Sequence, residues 1–66
     1  MNWKTVYKTE NPQRAEIVKS LLEEKDLHPI LLNKKDSAYL FGLMEVQVNE
    51  VEFVTAQEII EAIDLN

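Results

Sequence analysis

A hydroxyl nucleophile works only with a base beside it. This chain offers one imidazole, His28, and no cysteine. His28 stands just before Pro29, where a strand is about to start, and reads as a turn residue. Ser20 falls inside a helical pattern and Ser37 in a polar loop, so no spacing brings a hydroxyl to the imidazole. General acid–base chemistry needs a convergent carboxylate pair. Glu23 and Glu24 are adjacent on a helix and point to different sides, while Glu58 and Glu61 form an exposed i, i+3 pair. The single Gly excludes a glycine-rich phosphate loop. Without cysteine there is neither a disulfide nor a thiolate zinc site. The inventory reads as that of a non-catalytic protein, with no cofactor and no metal site.

The remaining candidates suit binding. Lys34 and Lys35 are the only adjacent basic pair, and Ser37 and Tyr39 add hydroxyls close by. Such a group can hold an anion or a nucleotide phosphate. The same segment also reads as a solvated turn in which Tyr39, Leu40 and Phe41 pack over a sheet edge. A second group is Trp3, Thr5 and Tyr7, which strict alternation places on one face of a strand. That face serves self-association or a protein partner, or is ordinary strand packing. Stacking of nucleic-acid bases on it is disfavoured. The next strand supplies Glu45 and Gln47 rather than aromatics, and the chain carries a net charge of −5.

These residues need elements to position them. Trp3–Lys8 alternates and is rich in aromatic and β-branched residues, the pattern of a strand. Asn11-Pro12 pairs a strong N-cap with a residue that loses no hydrogen bond at the first helical position. Ala15, Val18 and Leu22 then follow helical spacing. That helix ends near Lys25-Asp26, with Asp26 taking the left-handed cap in place of Gly. Pro29–Leu32 is a short apolar second strand, and residues 33–42 form a loop closed by Gly42. Leu43–Val48 is a third strand, with Met44, Val46 and Val48 on one face and Glu45 and Gln47 on the other. Asn49 caps a second helix that turns Phe53, Ala56, Ile60 and Ile63 to the core.

The order is strand, helix, strand, strand, helix. Two helices with one apolar stripe each share one sheet face. A right-handed crossover sets the first strand beside the third. The expectation is an α+β fold: one domain over residues 1–66, a truncated ferredoxin-like (βαββα) sandwich with a three-stranded antiparallel sheet and two helices on one face. The fourth strand of the full plait is missing, so the first strand lies at an open edge that invites pairing with another chain.

Size and charge narrow the function. A chain of 66 residues buries a modest share of its surface. Such domains gain stability from staples or self-association, and without cysteine a homo-oligomer is the expectation. All seven basic residues and five acids lie in positions 1–35, against seven acids and no base in 36–66. An acidic chain repels a phosphate backbone, which argues against nucleic acid as a partner. No apolar run comes near the roughly 20 residues of a membrane span. No export signal opens the sequence. A cytoplasmic location follows as the expectation.

Val6-Tyr7, Asn11-Pro12, Ala15-Glu16-Ile17, Leu21-Leu22-Glu23, Leu32–Ser37, Leu40-Phe41-Gly42 and Val46-Gln47-Val48 together resemble the family of putative prokaryotic signal-transducing proteins. The resemblance covers nearly the whole chain. It implies a small domain of unknown function, similar in fold to the PII signal transducers, and a binding or regulatory role. The family usually has Gly at the end of the first helix, where this chain has Asp26-Leu27. PII proteins carry a regulatory loop between their second and third strands, and Tyr39 falls in the corresponding loop. That loop is much shorter here, and the later segments of the PII nucleotide site have no counterpart, so ATP and 2-oxoglutarate binding are not implied. The alternative to a ligand- or partner-binding module is a pure self-association domain.

Overall fold

The computed structural model describes residues 2–34 and 43–63. Its elements are β1 (Trp3–Thr9), α1 (Pro12–Glu24), β2 (Ile30–Lys34), β3 (Leu43–Asn49), a 3-10 turn (Glu50–Glu52) and α2 (Phe53–Ala62).

The first helix starts and stops on local chemistry. Asn11 Oδ1 accepts from the backbone N–H groups of Gln13 (2.9 Å) and Arg14 (3.3 Å), with Pro12 at the first helical position. Two otherwise orphaned donors are thereby satisfied. At the other end, Asp26 adopts φ 65°. Leu27 N–H donates to Leu22 C=O (3.1 Å) and Asp26 N–H to Glu23 C=O (3.0 Å), the two bonds of a Schellman ending. Asp26 is thus the left-handed residue that the sequence nominates in the absence of Gly.

The strand order is β1-β3-β2, with β3 antiparallel to both neighbours. β1 and β2 therefore run parallel, with β3 inserted between them and α1 as the crossover. This is the split βαβ arrangement of a ferredoxin-like α+β fold.

Ala15, Val18, Leu22, Val46, Val48 and Ala56 are fully buried and form one core. They come from both helices and from alternate positions of β3, so both helices lie on the same side of the sheet. Tyr7, Leu27, Leu31, Met44, Phe53 and Ile60 pack around them, partly buried. On α2 the expected stripe is present but its centre is Ala56, with Phe53, Ile59, Ile60 and Ile63 half-buried. Asn49 caps as expected, its Oδ1 accepting from Val51 N–H (3.2 Å), but the segment it caps is the 3-10 turn, and α2 begins after it.

One expectation fails at β1. Trp3, Lys4 and Thr5 pair with Asn49, Val48 and Gln47, whereas Tyr7, Lys8 and Thr9 pair with Val46, Glu45 and Met44. The register shifts between Thr5 and Tyr7, so Val6 is an extra residue, a β-bulge. Because side chains alternate with a period of two, the inserted residue swaps the faces beyond it. Trp3 and Thr5 stay on the face away from the helices, and Tyr7 turns with Val46 into the core. Trp3, Thr5 and Tyr7 do not share a face.

Candidate functional site

The sheet face opposite the helices is formed by Trp3, Thr5 and Lys8 on β1, Leu43, Glu45, Gln47 and Asn49 on β3, and Ile30, Leu32 and Lys34 on β2, as the registers dictate. β3 is the middle strand, so the side chain at its centre is flanked on both sides. That side chain is Glu45, which is only 8% exposed.

A buried carboxylate needs partners. Thr5 Oγ1 donates to Glu45 Oε1 at 2.8 Å, and Gln47 Nε2 lies 3.0 Å from Thr5 Oγ1 and 3.2 Å from Glu45 Oε1. Lys34 Nζ stands 4.0 Å from the same oxygen. The Thr5 hydroxyl is the main cause holding the Glu45 carboxyl below its ordinary value. Burial works against this, and Gln47, Lys34 and Lys8 add to it. The carboxylate is ionised, hydrogen-bonded and locked in place across two strands.

Trp3 is 42% exposed at one end of this face. Lys34 closes the other end on the last residue of β2, with its side chain 54% exposed. Its charge is shared with Glu45, so it is a less isolated cation than its place beside Lys35 implies. Lys35, Ser37 and Tyr39 lie outside the described residues. The structure thus brings Trp3, Thr5 and Lys34 onto one face, with Thr5 and Lys34 joined through Glu45, and removes Tyr7 to the core.

Two features escaped sequence reasoning. Glu45 read as an ordinary outward residue of β3, because its partners Thr5 and Lys34 lie on other strands. His28 read as a plain turn residue, but Glu52 grips it at two points. Glu52 Oε1 accepts from His28 N–H (3.0 Å), and Oε2 lies 3.0 Å from His28 Nδ1. Those bonds hold the Glu52 carboxyl below its ordinary value. No pattern within either segment signals a bond between residues so far apart in the chain.

On the helical side, a groove of about 430 Å³ runs between α1 and α2, lined by Leu21, Lys25, Thr55, Glu58, Ile59, Ala62 and Ile63. Among the described residues no group of three or more His, Cys, Asp or Glu is placed to hold a metal ion. No helix among them is long and apolar enough to cross a membrane.

A split βαβ sheet with one helix-covered face and one open face defines a small α+β domain of ferredoxin-like type. The model of the family described as "putative prokaryotic signal transducing protein" matches residues 3–64, and the chain belongs to that family. No curated protein and no solved structure gives a significant match.

Proposed function

We propose that this chain is a small, non-catalytic cytoplasmic module that binds and regulates, receiving its partner on the open face of the sheet. The observation that carries the reading is the state of Glu45. A partner that covers this face meets a carboxylate already bonded to Thr5 and Gln47. Its Oε1 is already satisfied within the chain, which lowers the share of the desolvation penalty that falls on that atom. Trp3 supplies a large, partly exposed anchor, the residue type most enriched at binding hot spots. Lys8 and Lys34 flank Glu45, so the described part of this face is net positive in a chain of charge −5. That balance favours an acidic protein surface or an anionic small molecule over nucleic acid or membrane. Lys35, Ser37 and Tyr39 follow Lys34 directly in the chain and belong to the same candidate group. The family description supports a signalling context.

Capture from native cytoplasm tests this reading, with wild type compared against Trp3→Ala and against Lys34→Ala/Lys35→Ala. A partner held by wild type and lost by a variant places it on this face. Equal capture by both variants rejects the face. For a small anion the readout is ligand-dependent thermal stabilisation.

A second reading is a pure self-association domain without a ligand. The sheet favours it, because β1 and β2 each present an outer edge with no strand partner among the described residues.

A further inference from the structure

The two edges are not equivalent. The direction of the peptide groups along β3 follows from one bond. Glu50 N–H donates to Asn2 C=O at 2.9 Å. Residues alternating from Glu50 (Val48, Val46 and Met44) therefore direct their peptide groups to β1, and Gln47, Glu45 and Leu43 direct theirs to β2. The β2 partners of those three are Ile30, Leu32 and Lys34. Their peptide groups point inward. The N–H and C=O groups of Leu31 and Asn33 point outward, evenly spaced along a strand without a bulge.

The outer edge of β1 is built differently. Trp3 and Thr5 point their peptide groups outward, and after the bulge at Val6 the next regular outward position is Lys8. A straight partner strand cannot match that uneven series. Lys8 adds charge on the same strand, while Lys4 turns its ammonium over the Phe53 ring of α2, 5.1 Å from the centroid. Lysines and bulges are the devices by which edge strands avoid pairing. β2 carries neither device over Ile30-Leu31-Leu32, and its single lysine is the last residue.

We propose that the β2 edge pairs with the β2 edge of a second copy of this chain, antiparallel and two-fold symmetric about Leu32, to give a continuous six-stranded sheet. In that pairing Leu31 faces Asn33 of the other copy, and each such pair exchanges both of its N–H···O=C bonds. Leu32 meets its own equivalent in a non-hydrogen-bonded pair, where side chains approach most closely. The charges tolerate the arrangement. Each Glu45 stays one strand inside the junction with its own Thr5, Gln47 and Lys34, and a pair of leucines separates the two carboxylates. A second copy suits the edge because two-fold reversal sets Leu32 against Leu32 at the centre and keeps the two Lys34 ammonium groups at opposite ends of the junction. This pairing leaves the open face uncovered and does not depend on a partner there.

The chain has no cysteine, so single-cysteine variants report the junction directly. Light scattering at high micromolar concentration is expected to give a dimer for wild type and a monomer for Leu32→Lys, with far-UV circular dichroism unchanged. Leu32→Cys is expected to form a disulfide-linked dimer under mild oxidation, and Thr5→Cys on the other edge strand is not. In wild type, amide exchange at Leu31 and Asn33 is expected to slow as concentration rises. A wild-type monomer throughout this range overturns the proposal. So does a dimer that cross-links through Thr5→Cys while Leu32→Cys stays free. If Leu32→Lys fails to fold, the two cysteine variants and the amide exchange decide alone.

Discussion

The Glu52 carboxylate holds His28 by two atoms at once, its backbone N–H and its ring Nδ1, each at 3.0 Å. The contact ties the segment entering β2 to the 3-10 turn that leads into α2. It fixes where Pro29, a buried residue, enters the sheet. These bonds favour the ionised carboxylate and hold its pKa down. A group whose folded pKa is lowered contributes stability that is fully present above its unfolded pKa and lost as pH falls through the folded value. The stability from this clip is therefore present above about pH 4.3 and declines below it. Urea denaturation followed from pH 7 to pH 2.5 is expected to show a shallower acid loss in Glu52→Ala than in wild type. At pH 7 the variant is less stable by about 0.5–1.5 kcal/mol, the net worth of an ordinary hydrogen bond. Identical pH profiles for the two proteins would remove Glu52 from this role.

Thr5→Val tests the open-face network. The two side chains have nearly the same shape, but the variant lacks the hydroxyl that donates to Glu45 and stands beside Gln47. With its main stabilising partner gone and burial still opposing charge, the Glu45 carboxyl is expected to rise toward, or above, its ordinary value. Carboxyl chemical shifts followed through a pH titration read this directly. Stability at pH 7 falls by about 0.5–1.5 kcal/mol, and by less once the pH has fallen through the Glu45 titration, where wild type no longer holds a carboxylate at this site. An unmoved Glu45 titration would mean that Gln47 and Lys34 suffice without Thr5.

Asp26→Gly concerns the end of α1. Asp26 sits at φ 65°, where a Cβ crowds the following carbonyl at a cost of roughly 1 kcal/mol. Asp also places a negative charge at the helix C-terminus, the wrong end of the helix dipole. Glycine relieves both and keeps the two Schellman bonds. The expected gain is below about 1 kcal/mol, because glycine also loosens the unfolded chain. A thermal midpoint unchanged or lower in the variant would show that the Asp26 side chain earns its place by another contact.

The parts of this fold that are legible in the sequence are those decided within a few residues. Asn11-Pro12 starts a helix, Asp26 ends it, and Met44-Val46-Val48 marks the core face of the middle strand. Each follows from local spacing and local hydrogen bonding. The parts that escape are decided between segments. Nothing in Trp3–Thr9 announces a bulge at Val6, because the bulge exists only in the pairing, where the seven residues Trp3–Thr9 stand against the six residues Met44–Asn49. It alone moves Tyr7 from the open face to the core. Glu45 looks like any outward glutamate until β1 and β2 bring Thr5 and Lys34 to it. The same holds for His28 and Glu52, which become neighbours only when the fold closes. The candidate site was therefore half readable: Trp3, Thr5 and Lys34 from residue type, and the carboxylate that joins Thr5 to Lys34 only from the sheet.

Trp3 can distinguish the surfaces by which copies could meet. It is the only tryptophan, and it is 42% exposed on the open face of β1. β1 and β2 are opposite edges of the sheet. Pairing through β2 leaves Trp3 in solvent, whereas stacking of two open faces buries it. A partly exposed indole is quenched by acrylamide, and burial against another protein lowers that quenching. Over the concentration range in which light scattering shows the dimer forming, the Stern–Volmer slope of Trp3 is expected to stay constant. Addition of a partner that binds the open face is expected to reduce the slope, with a blue shift in emission. Salt adds a second handle. Two copies of charge −5 repel each other, so added salt screens the repulsion and strengthens self-association. The same salt weakens an acidic partner held by Lys8 and Lys34. Opposite salt responses, with Trp3 shielded in only one of the two, would show that the edge and the face serve separate partners. A Stern–Volmer slope that falls as the dimer forms would instead place the second copy on the open face.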